Sequence, residues 1–307
     1  MTTIPFTTLD VFTIEPFKGN PLAVILDARG LSQLQMQMIA AEFGYSETTF
    51  VLPPKDARHT AEVRIFTPVA EIPFAGHPNV GTAIALARQG TLFGKALSDD
   101  MQFEEKAGLV TVRLHRGDDQ SLFATIRAPQ MLSVSGALST PHLAKAMSLS
   151  EADIVTAQHQ PMFVSVGLKF VAAELVDLAA LGRAKPNLDV LAQLVTTHKA
   201  EKTDGATFLY CRMSDNHIRA RMFSPFDNVP EDPATGSASA ALGAFLTQLS
   251  PEPDASRTIL VEQGVEMGRR SLITITAEKK DERIVSVDIS GQAVSVMQGS
   301  ITVAAAM

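Results

Sequence analysis

Arg64-Ile65-Phe66-Thr67-Pro68-Val69-Ala70-Glu71-Ile72-Pro73 recurs about half a chain later as Arg221-Met222-Phe223-Ser224-Pro225-Phe226-Asp227-Asn228-Val229-Pro230. Both stretches read Arg, apolar, Phe, Thr or Ser, Pro, three variable residues, a β-branched residue and Pro. Each runs through a glycine turn, Ala75-Gly76-His77 or Thr235-Gly236-Ser237, into an alanine-rich segment with helical character. A duplicated strand–turn–helix is expected to give two helix N-termini facing one cleft, each with unpaired N–H groups and the positive end of a dipole. Such a cleft suits a small anionic molecule, with Glu47, His77 and Asp232 as the chemical groups.

A second echo lies upstream at nearly the same offset. Ser46-Glu47-Thr48-Thr49-Phe50-Val51-Leu52 precedes the first decapeptide, and Gly205-Ala206-Thr207-Phe208-Leu209-Tyr210 precedes the second. The glutamate stands only in the first copy, and scaffold symmetry does not require that difference. The second copy also has three more residues between its last Pro and its Gly, and these carry Glu231 and Asp232.

Working outward, strands are expected at 6–13, 22–26, 62–66, 109–114 and 122–126, where β-branched and aromatic residues concentrate. A helix over 33–43 starts on a Ser32/Gln35 capping box and stops at Gly44. Leu34, Met38 and Ile39 form its expected apolar stripe, and Met36 and Met38 read as core. Helices over 78–88 and 238–249 are apolar nearly all round, which marks buried helices. Each half therefore reads as a curved sheet around a central helix.

Ser, Gly and Pro cluster at 129–141, the expected domain boundary. One lobe is assigned 1–128 plus a returning strand at about 293–307, the other 129–292. In the second lobe, helices are expected at 143–148, 150–155 and 187–198. Strands are expected at 162–175, 207–211, 218–223, 258–262, 271–276, 283–289 and 299–304.

Bulk properties narrow the function class. The 307 residues suffice for two domains, and 46% hydrophobic with 19% charged residues is globular. A net charge of −7 argues against nucleic-acid binding, which needs a positive field. No apolar run approaches the roughly 18 residues of a membrane helix, and no secretory signal is evident at the start. One cysteine, Cys211, fits a reducing cytoplasm and reads as a buried, inert thiol.

Each polar candidate has a bland alternative. Glu47 sits between a helix end and a strand, as a surface acid or as a proton-transfer group whose pKa a dry site would raise. His77, at a helix mouth, either satisfies a local carbonyl or stands as a neutral hydrogen-bonding group. Asp232 precedes a proline as in ordinary turns, and Ser237 resembles a helix cap. Gly76-His77-Pro78-Asn79-Val80-Gly81-Thr82 has phosphate-loop spacing but lacks the lysine, and no G-x-G-x-x-G occurs. Histidines 59, 77, 115, 142, 159, 198 and 217 form no H-x-H or H-x-x-x-H pair, so no metal is expected.

Pro16-Phe17-Lys18-Gly19-Asn20-Pro21, Ser46-Glu47-Thr48-Thr49-Phe50, Phe66-Thr67-Pro68, Pro73-Phe74-Ala75-Gly76-His77-Pro78 and Glu231-Asp232-Pro233-Ala234-Thr235-Gly236-Ser237 together resemble the PhzF-like phenazine-biosynthesis isomerase family, within the diaminopimelate epimerase fold. The resemblance continues through Gln263-Gly264, Met267-Gly268-Arg269 and Ser290-Gly291. It implies an α+β fold of two pseudo-symmetric lobes, each a β-barrel-like sheet round a central α-helix, with the site between them. Epimerase relatives carry a cysteine at the start of each central helix. Ala75 and Thr235 stand at those places here, so two-thiol epimerisation is not expected.

What the resemblance implies instead is a cofactor-free proton shift on a dihydro-hydroxyanthranilate-like acid. Glu47 would be base and then acid, assisted by His77 and Asp232. Asn20, Gly76, Gly236 and Ser237 would bind substrate. A homodimer is consistent with the same resemblance. Two other readings stay open at this point: an amino-acid epimerase or racemase using oxygen acids, and a non-catalytic small-acid binding protein.

Overall fold

The computed structural model describes residues 2–117 and 121–303. Ala304, the expected end of the last strand, lies outside them. The chain is a mixed α+β fold that divides into two compact units, Met1–Arg127 with Ser290–Met307, and Ala128–Ile289.

The first unit contains β1 (Thr2–Val11), β2 (Asn20–Ile25), α1 (Gln33–Phe43), β3 (Glu47–Leu52), β4 (Ala61–Phe66), β5 (Glu71–Ile72), α2 (Gly76–Gln89), β6 (Thr91–Leu92), β7 (Lys95–Ala96), β8 (Asp100–Glu105), β9 (Gly108–Arg116) and β10 (Leu122–Arg127). The second contains β11 (Ser133–Ala137), α3 (Thr140–Ala146), β12 (Ile154–Val155), β13 (Met162–Ser165), β14 (Lys169–Leu175), α4 (Leu178–Arg183), α5 (Leu188–Thr197), β15 (Thr207–Ser214), β16 (His217–Ser224), β17 (Val229–Asp232), α6 (Gly236–Gln248), β18 (Ala255–Gln263) and β19 (Ser271–Lys280). The long strand β20 (Arg283–Val303) begins in the second unit and ends in the first.

In the first unit the pairings β1–β2–β3–β4–β8–β9–β10–β20 return to β1 and close a ring of eight strands. From β1 to β9 they run antiparallel, parallel, antiparallel, parallel, antiparallel. The second unit has the same alternation along β13–β14–β15–β16–β18–β19, with β11 added beside β13. A parallel step needs a crossover, because a tight turn can only reverse the chain. Here α1, α2 and α6 each stand in one crossover, and α4 and α5 stand in the fourth.

Gly76 through Leu86 of α2 are all buried, and the helix packs against β1, β2, β3, β9 and β10. Gly81 permits this approach, since a Cβ there would lie 2.5 Å from Leu22 Cδ2. In the second unit α6 packs against β13, β14, β18 and β19. Gly243 does the same service, as its Cβ would lie 2.6 Å from Ile275 Cγ2. Small side chains and one glycine per helix bring backbone close to sheet at high packing density.

The repeated arginine has a structural use. Arg64 forms a fork to Glu71 at 2.8 and 2.7 Å, and Arg221 forms one to Glu231 at 2.8 and 2.8 Å. Arg221 also donates to the carbonyls of Leu181, Gly182 and Ala184. Glu231 thus does for its arginine what Glu71 does in the first copy.

Several expectations are corrected. Helix α1 has the expected ends, and the Ser32/Gln35 capping box and left-handed Gly44 are present. Its buried face, however, is Met36, Ile39 and Ala40, packed with Ile25, Phe50 and Phe66. Leu34 and Met38 are 69% and 62% exposed. Met36→Ala is therefore expected to lower unfolding stability by about 2 kcal/mol, while Met38→Ala leaves it within about 0.5 kcal/mol, both read by urea denaturation.

Helices α2 and α6 each begin two residues earlier than expected, which places Gly76, His77, Gly236 and Ser237 in their first turns. The expected helix over 150–155 is a single tight turn running into β12. The expected strand over 162–175 is a hairpin broken at Gly167, whose φ is +142°. The strands expected at 283–289 and 299–304 are parts of β20.

Candidate functional site

The first unit gathers Asn20, Glu47, Gly76 and His77. Glu47 opens β3 and Asn20 opens β2; the two strands run parallel with Leu22 beside Glu47. Asn20 is fully buried and its Oδ1 accepts from the Ser46 hydroxyl at 3.4 Å. Glu47 Oε2 lies 3.5 Å from His77 Nδ1, with the two side chains 16% and 5% exposed.

Burial depresses the His77 pKa to about 3, and a hydrogen bond to Pro21 only partly opposes it. Pro21 has no N–H, so this bond is a ring N–H donated to its carbonyl. Nε2 is buried without a partner, which makes Nδ1 the donor and leaves Nε2 a bare acceptor. His77 is therefore neutral at pH 7. It satisfies a local carbonyl and also offers a hydrogen-bonding face. Desolvation, rather than the helix dipole, is the main cause.

Buried polar atoms without partners concentrate near this turn. They include Thr48 Oγ1, His77 Nε2, Asn79 Oδ1 and both oxygens of Glu105, which ends β8. Native interiors leave few such atoms, and a local concentration of them is the mark of a place where something else binds. Burial raises the Glu105 pKa to about 8, with the Asn79 side chain opposing the shift.

The second unit holds Asp232, Gly236 and Ser237. Thr235 precedes α6, but its side chain makes no cap bond to the helix. Its hydroxyl donates to Asp232 Oδ2 at 2.5 Å. Gln263, fully buried, braces the loop: Nε2 donates to the Asp232 carbonyl at 2.8 Å and to Thr235 Oγ1 at 3.0 Å, and Oε1 accepts from the Thr235 N–H at 3.1 Å. Gly264 is needed beside it. Its φ is +74°, and a Cβ would lie 2.6 Å from the Pro233 carbonyl oxygen. From Asp232 to Thr247 only Ser237 is partly exposed.

Gln263→Leu is expected to cost about 2–3 kcal/mol in urea denaturation, because it removes three hydrogen bonds inside the buried turn and leaves the Thr235 N–H without its acceptor. Gln263, Asn79 and Glu105 were not picked out as site residues from sequence. Gln263-Gly264 was visible as part of the resemblance; Asn79 and Glu105 carry no local signal.

Other groups are structural. The Cys211 thiol is buried and its pKa is pushed up to about 11, chiefly by desolvation, which keeps it protonated. A cavity of about 220 Å³ in the first unit is lined by Arg64, Glu71, Lys55 and Glu62 among others, and contains none of the expected site residues. Most of its charges are spent on each other through Arg64–Glu71, Lys106–Glu71 and Lys55–Glu62, while Glu104 pairs with His59 and Glu105, also on its wall, pairs with no cation among the described residues. No helix among the described residues is long and apolar enough to cross a membrane.

A carboxyl beside a neutral imidazole, at the amide end of a buried helix, is an arrangement suited to moving protons. Comparison with known proteins finds relatives named isomerases. The family described as phenazine biosynthesis-like protein matches residues 9–299. A trans-2,3-dihydro-3-hydroxyanthranilate isomerase of Pseudomonas aeruginosa is 36% identical over 299 residues, covering 96% of this chain and 98% of its own. An uncharacterized isomerase of Mesorhizobium japonicum is 37% identical over 297 residues, covering 95% and 96%. A crystal structure of a Bacillus anthracis phenazine biosynthesis protein of the PhzF family superposes with a TM-score of 0.88 at 29% identity, covering 99% and 100% of the two chains. The chain belongs to the phenazine biosynthesis-like (PhzF) family.

Proposed function

We propose that the protein is a cofactor-independent isomerase that moves a proton within a small, unsaturated cyclic carboxylate of the dihydro-hydroxyanthranilate type. The observation that carries this reading is Glu47 Oε2 at 3.5 Å from the Nδ1 of a neutral, buried His77. In this reading Glu47 takes a proton from one ring carbon and returns it to another. Such a shift is redox-neutral and needs no co-reactant. His77 Nε2 accepts a hydrogen bond from a substrate N–H or O–H. Backbone N–H groups around Gly76 and Gly236, with the Ser237 hydroxyl, hold the carboxylate.

Asp232 and Ser237 belong to the second unit, and their service to the same substrate is part of the proposal. So is the reading of the units as pseudo-symmetric lobes, each built on one of the helices α2 and α6. Ala75 and Thr235 supply no thiol, and Thr235 has its hydroxyl engaged with Asp232. That supports a one-carboxyl mechanism over a two-base one. A general acid–base group supplies about 10²–10⁴-fold, and orientation in a water-poor site supplies the remainder. The test is turnover of trans-2,3-dihydro-3-hydroxyanthranilate followed by absorbance and NMR. Conversion to an isomer of equal mass supports the reading; full recovery of the starting acid after long incubation rejects this substrate class.

A further inference from the structure

Glu105 ends β8, and the turn after it docks on the segment leading into α2, where the Ala107 N–H donates to the Pro73 carbonyl at 3.1 Å. Asn79, fully buried in the first turns of α2, donates through Nδ2 to the carbonyl of Ala75, the N-cap residue, at 3.0 Å. Three atoms then lack partners, Asn79 Oδ1 and the two Glu105 oxygens, and the Asn79 side chain is close enough to Glu105 to act on its carboxyl. An ionised Glu105 adds two acceptors to a third and makes the mismatch worse. A protonated Glu105 supplies one O–H for Asn79 Oδ1, and its carbonyl oxygen can take the second Asn79 N–H.

We propose that Glu105, as a neutral carboxylic acid, is a positioning residue for the substrate-binding turn of α2. It acts through Asn79, which holds the Ala75 carbonyl and with it Gly76 and His77. This rests on the reading above, in which that turn binds an anionic acid.

The surroundings favour the neutral form. On its own strand Glu104 is paired with His59, and just beyond the strand Lys106 is paired with Glu71. From β4 and β5, Arg64 and Glu71 are paired with each other, and Glu62 is paired with Lys55. In the first turns of α2 the titratable group is the neutral His77, which contacts Glu47 of β3. Among the described residues no cation pairs with Glu105, and burial pushes its pKa up to about 8 against the opposing Asn79 side chain. Ionisation above that pH removes the O–H donor. It also puts a negative charge behind a turn meant for a carboxylate, so binding weakens more than the chemical step.

The experiment follows the His77 ring and Gly76 amide resonances by ¹⁵N–¹H NMR from pH 6 to 9.5, in wild type and Glu105→Gln, with the Glu105 side-chain ¹³C signal recorded in wild type. The expected result is a shared midpoint near pH 8 in wild type that vanishes from His77 and Gly76 in the variant. The same midpoint persisting in the variant, or a Glu105 signal that titrates in the ordinary carboxylate range, overturns the proposal. The ¹³C arm needs no variant and so stands if Glu105→Gln folds poorly. In parallel, KM for trans-2,3-dihydro-3-hydroxyanthranilate should rise about tenfold from pH 7 to 9 in wild type, with kcat changed less than about threefold, and stay level in Glu105→Gln. Wild-type turnover with the same alkaline rise of KM in both proteins overturns the positioning role. Absence of any turnover rejects the proposed activity instead, and the NMR arm still decides the role of Glu105 in positioning α2.

Discussion

Glu47→Gln is expected to lower kcat for the isomerisation by about 10³-fold or more while leaving the unfolding midpoint and ligand affinity close to wild type. The substitution keeps the shape of the side chain and removes only its ability to take and return a proton. Glu47 is 16% exposed, enough for a substrate to reach it but not a freely solvated surface acid. Its neighbour His77 cannot substitute, because burial keeps the ring neutral down to about pH 3 and its N–H is engaged with the Pro21 carbonyl. Steady-state kinetics with a binding measurement on the variant separates the roles. A fall in kcat at unchanged affinity is expected for a base. A loss of affinity at unchanged kcat would make Glu47 a binding group only.

The second large effect is on stability as a function of pH. Glu105 has its folded-state pKa raised from 4.5 to about 8. Below pH 4.5 both folded and unfolded chains hold that proton. Between the two values the folded chain keeps it and the unfolded chain releases it, so stability falls as pH rises, by about 1.4 kcal/mol per unit. Over the window this amounts to about 5 kcal/mol. His77 works in the opposite sense, with its pKa lowered from 6.5 to about 3. As pH falls below 6.5 the unfolded chain gains a proton the folded chain refuses, and stability declines.

The two slopes oppose each other between pH 4.5 and 6.5, where wild-type stability should be nearly flat, and it should then drop toward pH 8. Glu105→Gln removes one slope. Its stability should rise from pH 4.5 to 6.5, level off, and exceed that of wild type by about 3 kcal/mol at pH 7 in urea denaturation. A parallel pH dependence in the two proteins would contradict this. A group that costs the fold so much at neutral pH is of the kind kept at functional sites.

What the sequence disclosed depended on how local the physics was. The ends of α1 were legible because a capping box and a left-handed glycine act within one turn of chain. Its buried face was misjudged at Leu34 and Met38, because contact with Ile25, Phe50 and Phe66 decides which side of the helix is covered. The starts of α2 and α6 lie two residues before the expected ones. Neither Ala75 nor Thr235 makes a side-chain cap bond, so neither gives the usual boundary signal. In the site, Glu47 and His77 stood out by motif, as did the Asp232 loop. The acceptor state of His77 was not readable, since it depends on the carbonyl of Pro21, far away in sequence. Glu105 and Asn79 were invisible for the same reason: their interest lies in atoms that fail to find partners, and only a folded interior reveals that.

The most direct measurement is the fate of the migrating hydrogen. The protein is incubated with trans-2,3-dihydro-3-hydroxyanthranilate in deuterated water, and the position of each new C–H or C–D bond is read by NMR. The expected result is a new bond at a ring carbon other than the one that lost its hydrogen, formed by wild type and not by Glu47→Gln. Exchange confined to the carbon that lost the hydrogen, or undiminished transfer in Glu47→Gln, would contradict an isomerase driven by that carboxyl.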